Sequence, residues 1–111
     1  MTKKEAFALR RERGNEAVLR HANLTVKRFL ALDGDAYQEG AIPTKYKELL
    51  GLVASAVMRC GDCIAYHVIR AKEEGATKEE IAEALSVALV VGGSIVIPHL
   101  REASELLEEL E

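Results

Sequence analysis

Apolar positions recur at helical spacing through most of this chain, and nowhere do they alternate over a length that a strand would need. The clearest stripe is Tyr46, Leu49, Leu50, Val53 and Val57. It predicts a helix over 44–58, with Pro43 at its start, where the missing N–H would have no partner anyway. A second helix is predicted over 60–74 and stopped by Gly75. Thr77-Lys78-Glu79-Glu80 then spells a capping box, with Thr77 at the N-cap, and opens a helix over 78–91. Beyond Ser86 this helix is apolar on every side, which predicts burial all round, in so small a domain against another subunit. Gly92-Gly93 ends it. Ser94 can cap a fifth helix that Pro98 bends or starts, and 101–111 continues as an acidic helix with Leu106, Leu107 and Leu110 inward. Upstream, 3–31 reads as one helix with scattered apolar contacts (Phe7, Val18, Leu24, Phe29, Leu30), open to interruption near Gly14. Residues 32–43, LDGDAYQEGAIP, read as a loop on their turn chemistry. Ser94–Ile97 favours β structure but is too short to pair. The expectation is an all-α single domain over 1–111, with about five to six helices.

At 111 residues the chain is one domain, and a domain this small gains from self-association. Aromatics are 5% and Trp is absent, so the core must be Ala, Leu, Val and Ile, and no aromatic platform exists for stacking bases. A net charge of −3 gives no electrostatic reason to expect nucleic acid. The charge is uneven: residues 1–30 carry eight Lys/Arg against three Glu, a net of +5, and the remainder seven against fifteen, a net of −8. The basic segment is expected to pair with acidic surface in its own assembly. The longest apolar run, Val87 to Val91, is too short to span a bilayer, and Met1-Thr2-Lys3-Lys4 leads into mixed charge, not a signal sequence. A cytoplasmic location is expected, where two cysteines are not a structural staple.

Those cysteines carry the chemistry. In Arg59-Cys60-Gly61-Asp62-Cys63-Ile64-Ala65-Tyr66-His67, a Cys-x-x-Cys points to redox work or metal. At about 100° per residue, positions 60, 63 and 67 fall within a ~60° arc, so two thiols and an imidazole share one helix face. Cys60 stands where the helix begins, and free N–H groups with the positive dipole end favour a thiolate there. Arg59 adds positive charge and Asp62 opposes it. His67 could accept or pass on a thiol proton. Glu48 is a further candidate. On one straight helix it would lie about 18 Å along the axis from Cys60. It reaches the thiols only if the chain breaks near 59–61 and folds back. Tyr66 reads as core or pocket wall, His99 as structural, and His21 as surface. Against redox catalysis stand two other readings: a metal module with Cys60, Cys63, His67 and Glu48 as ligands, and a helical assembly subunit with passive thiols.

Residues from about 25 to 100 resemble the carboxymuconolactone decarboxylase/AhpD-like family. The resemblance rests on the Asp-Gly loop, Pro43, Lys45, Glu48, Cys60-x-x-Cys63-x-x-x-His67, Ala71, Gly75, the segment Thr77–Ala84, and Gly92-Gly93. It implies an all-α fold, homo-oligomers (commonly trimers or hexamers), and alkylhydroperoxidase-type activity without a cofactor. It also implies roles: Cys63 forming the sulfenic acid, Cys60 resolving it, and His67 with Glu48 completing a proton relay. A hydroperoxide or disulfide substrate and a lipoyl or thioredoxin-like dithiol reductant would follow. Asp62 stands where the peroxidase pattern has a histidine, and a carboxylate cannot replace imidazole as a relay near neutral pH without a strongly raised pKa. A carboxymuconolactone-decarboxylating lyase is the alternative reaction on the same fold, one that does not need the cysteines.

Overall fold

A computed structural model describes residues 1–111 as six α-helices joined by short connections, with no strand. The helices are α1 (Lys3–His21), α2 (Leu24–Ala36), α3 (Thr44–Val57), α4 (Gly61–Glu73), α5 (Lys78–Gly92) and α6 (Ile97–Glu109), the last preceded by a 3-10 turn over Ser94–Val96. The all-α expectation is met. Three of the expected boundaries are not.

The single helix predicted over 3–31 is two. It breaks at Asn23, not near Gly14. Asn23 is extended (φ −88°, ψ −179°), and its side-chain oxygen accepts the Val26 N–H at 3.0 Å, so it caps α2. Gly14 stays within α1, where a glycine costs only about 1 kcal/mol. The loop predicted over 32–43 is also shorter, because α2 runs through Asp33-Gly34 to Ala36 and leaves only 37–43. Ser94 does not cap the last helix: it lies in the 3-10 turn, and α6 starts at Ile97 with Pro98 in its first turn and no side-chain cap. The boundaries of α3, α4 and α5 lie where the sequence predicts them. Both halves of the capping box at Thr77 and Glu80 are formed.

The core is aliphatic, as the composition requires. Leu52 and Ala56 of α3, Ile64 and Val68 of α4, Ile81, Leu85 and Ala88 of α5, Val96, and Ala103 and Leu106 of α6 close into one cluster. Burying such side chains contributes about 25 cal/mol per Å2. Lys45 bridges from α3 to Glu80 of α5 at 3.3 Å. The Thr77 backbone N–H first, and Lys45 second, hold the Glu80 carboxyl below its ordinary pKa, while the Glu80 hydrogen bond raises that of Lys45.

α3 and α4 are antiparallel neighbours because the chain reverses at Arg59. This residue adopts the left-handed conformation (φ 61°). The Cys60 N–H bonds the Ser55 carbonyl at 3.0 Å and the Arg59 N–H bonds that of Ala56 at 3.1 Å, a Schellman ending. Gly75 (φ 93°) ends α4 in the same manner.

α1 lies against α4 and α6. Phe7 is its one buried residue. The Glu109 carboxylate accepts the Lys3 and Lys4 backbone N–H groups at 3.0 and 3.2 Å, Lys3 pairs with Glu105, and Arg10 pairs with Asp62. The basic segment thus meets acidic side chains of its own chain. α2 buries no residue at all. In the single chain the all-apolar end of α5 is open: Val90 is 85% and Val91 68% exposed. No helix is long and apolar enough to cross a membrane.

Candidate functional site

Cys60 is the N-cap of α4 and Cys63 lies in its first turn. The two are joined by a disulfide with their Cα atoms 5.3 Å apart. The Cys63 N–H points at Cys60 Sγ from 3.3 Å. A helix N-terminus with its N–H aimed at a sulfur favours negative charge on that sulfur. Cys60 is half-buried, whereas Cys63 is exposed.

One turn further along α4, His67 is buried. The reversal at Arg59 brings Glu48 of α3 beside it: Glu48 Oε2 lies 3.1 Å from His67 Nδ1. Glu48 is 1% exposed, so the ring is the partner that satisfies its carboxyl group. With Nδ1–H donated to the carboxylate, the lone pair of the neutral ring sits on Nε2. The Tyr37 hydroxyl lies 3.5 Å from Nε2, and the two rings are tilted 32° with centroids 5.4 Å apart. Burial first, then the negative charge of Glu48, pushes the Tyr37 phenol above its ordinary pKa. Neither ring nitrogen of His67 is hydrogen-bonded to sulfur in the disulfide form.

A cavity of about 520 Å3 opens between α1 and this end of α4. Cys63, Asp62, Tyr66 and His67 form one wall, and Phe7, Arg10, Arg11 and Asn15 another. Tyr66 is thus a pocket wall. Its ring stands edge-on to His67 at 5.2 Å and carries the Arg11 guanidinium at 4.4 Å. Asp62 is turned to Arg10 at 3.1 Å. Arg59 is exposed at the reversal. His99 lies apart, in a small crevice with Gly61 and Glu102, and His21 is on the surface. No group of three or more His, Cys, Asp or Glu side chains is disposed to hold a metal ion.

Sequence reasoning missed Tyr37 and Gly51. Tyr37 sits in a segment read as loop, and nothing local marks it. Gly51 leaves the gap the two rings occupy: a Cβ there would lie 2.7 Å from His67 Cε1 and from the Tyr37 hydroxyl. An isolated glycine inside a helical stripe was the available signal.

The fold has solved relatives, and a family model for carboxymuconolactone decarboxylases matches residues 24–106. The chain belongs to the carboxymuconolactone decarboxylase family. A crystal structure of a Thermotoga maritima protein superposes with a TM-score of 0.92 at 56% identity, covering 95% of this chain and 92% of that one. A second Thermotoga maritima structure, with a TM-score of 0.88 at 57% identity over 94% and 88% of the two chains, is described as a family member and a candidate participant in an antioxidative response. A family member from Legionella pneumophila superposes at 0.80 with 27% identity, over 96% and 92%. A Paracoccus denitrificans protein of the cox locus, itself uncharacterised, is 35% identical over 83 residues, 75% of each chain.

Proposed function

We propose that this protein is a dithiol peroxidase of the alkylhydroperoxidase type. One observation carries the reading: an accessible Cys63 facing a cavity is bonded to Cys60 at a helix N-terminus, one turn from a buried His67–Glu48 pair. In the reduced form, the Cys63 thiolate attacks the terminal oxygen of a hydroperoxide. The O–O bond breaks, the departing alkoxide takes a proton and leaves as alcohol, and Cys63 becomes a sulfenic acid. Cys60 attacks that sulfur, water leaves, and the disulfide forms. An external dithiol then attacks Cys63, which is the exposed sulfur, and Cys60 leaves as a thiolate held by the start of α4; the donor's second thiol attacks the donor sulfur of this mixed disulfide, and Cys63 leaves as a thiolate. The net reaction consumes one hydroperoxide and one dithiol and yields alcohol, water and the donor's disulfide. The relative described in terms of an antioxidative response supports the same chemistry.

His67 is the proton carrier in this reading and Glu48 its orienting partner. The chain acts as a homo-oligomer, a trimer or hexamer on the family pattern, in the cytoplasm. The open apolar faces of α2, α3 and α5 support self-association.

Peroxide consumption with a lipoyl or thioredoxin-like donor tests the proposal. Cys63→Ser should abolish turnover, and Cys60→Ser should trap a sulfenic acid detectable by mass. Equal rates in wild type and Cys63→Ser would remove the cysteine from the mechanism and leave the decarboxylase chemistry as the reading to pursue.

A further inference from the structure

We propose that Tyr37 is a positioning residue for His67, passing the imidazole proton to solvent through its hydroxyl, and that Gly51 exists at its position to let the two rings meet. The inference rests on reading His67 as the proton carrier of the dithiol. His67 meets the cavity only with the 8% of its surface that is exposed, its Nδ1 side is closed by Glu48, and Glu48, at 1%, is a dead end for a proton. Of the groups on the two ring nitrogens, only Tyr37 belongs to a residue that is not fully buried.

The phenol is held for this task. Its backbone carbonyl accepts the Thr44 hydroxyl at 2.8 Å, the next carbonyl, of Gln38, accepts Lys47 Nζ at 2.6 Å, and the Glu39 carboxylate accepts the Thr44 N–H at 3.1 Å. The 37–39 segment is thereby pinned to the first turn of α3. From there the Tyr37 side chain reaches across Gly51 to His67. A side chain at position 51 would occupy the place where the ring nitrogen and the hydroxyl meet.

A hydroxyl suits both states of the ring, because it can donate or accept. Toward neutral His67 the phenol O–H donates to Nε2. Once His67 has taken a proton at Nε2, the phenol oxygen accepts the Nε2–H. As that proton crosses to the phenol oxygen, the original phenol proton passes to water, so one proton enters, one leaves, and the phenol is unchanged. The upward displacement of its pKa keeps Tyr37 in the O–H form that this exchange needs.

The test uses the disulfide form of the full chain, labelled with 15N at histidine, and the variants Tyr37→Phe and Gly51→Ala. In wild type, His67 should show Nδ1 protonated and Nε2 hydrogen-bonded. Both variants should move the Nε2 resonance towards that of a nitrogen without a donor, while Nδ1 stays in place. Tyr37→Phe keeps the tilted ring and should lower peroxide turnover at saturating substrate about tenfold, the scale of one hydrogen bond, with KM unchanged. An Nε2 resonance identical in wild type and both variants would overturn the contact. A shifted resonance with full turnover would overturn the proton route. The resonances need no turnover: if wild type consumed no peroxide, the peroxidase reading and the proton route would both fall, and the spectrum would still decide the contact.

Discussion

A single buried carboxyl group sets the energetics of the site. Glu48 is 1% exposed, and its hydrogen-bonding partner is the His67 ring. Breaking such a pair by deleting one partner costs more than the pair itself contributes, because the survivor is left unsatisfied in a poor solvent. His67→Ala should therefore destabilise the fold by about 3 kcal/mol in urea unfolding. Glu48→Gln, whose amide oxygen can still accept Nδ1–H, should cost less than half as much. Equal losses for the two would show that the pair is not the source of the cost. Of the residues at this site, Cys60, Cys63 and His67 were legible as a group, because their relation is local: one helix, one face. Glu48 was a candidate only on condition that the chain folded back, and the family resemblance strengthened it. On its own it is an ordinary charged position on a helix, and its burial is a property of the packed pair of helices.

At the scale of elements, the reversal between α3 and α4 assembles the site, and it is built on an unfavourable residue. Arg59 sits at φ 61°, a conformation that costs an L side chain roughly 1–2 kcal/mol and costs glycine nothing. Arg59→Gly should raise thermal stability by the equivalent of about 1 kcal/mol, less the extra chain entropy of glycine in the unfolded state. A lower melting temperature would mean that the Arg59 side chain makes a compensating contact. The requirement for a break here could be stated from the sequence, since Glu48 and the thiols cannot meet on a straight helix. That the chain breaks was decided by the Schellman hydrogen bonds from Arg59 and Cys60. The errors in the first third of the chain have equally local causes. The break at Asn23 went unread because the apolar pattern on either side of it is weak and marks no boundary. The Asp-Gly pair at 33–34, a turn signal by composition, lies inside the last turns of α2 instead.

The whole molecule leaves apolar surface open. A trough of about 780 Å3 between α3 and α5 is lined entirely by hydrophobic side chains, among them Leu50, Met58, Val87 and Val91. α2 carries Leu24, Phe29 and Leu32 with no core of its own to enter. Contiguous apolar surface on this scale is unusual for a lone subunit and usual at an interface. On the proposed self-association, the double variant Val87→Glu, Val91→Glu should lower the mass seen by sedimentation, with helical content retained. The same mass in wild type and variant would take this trough out of any interface, and a wild type with the mass of one chain would remove the self-association.

By itself, the sequence determined what depends on neighbours along the chain: the helical class, the capped start of α5, the aliphatic core, and a thiol pair aligned with an imidazole. These follow from spacing and backbone chemistry within one or two turns. Only the tertiary structure decided what surrounds that imidazole, because Glu48, Gly51 and Tyr37 come to His67 from 19, 16 and 30 residues away. Contacts of that kind are fixed by how helices pack and where the chain reverses, and no local pattern encodes them.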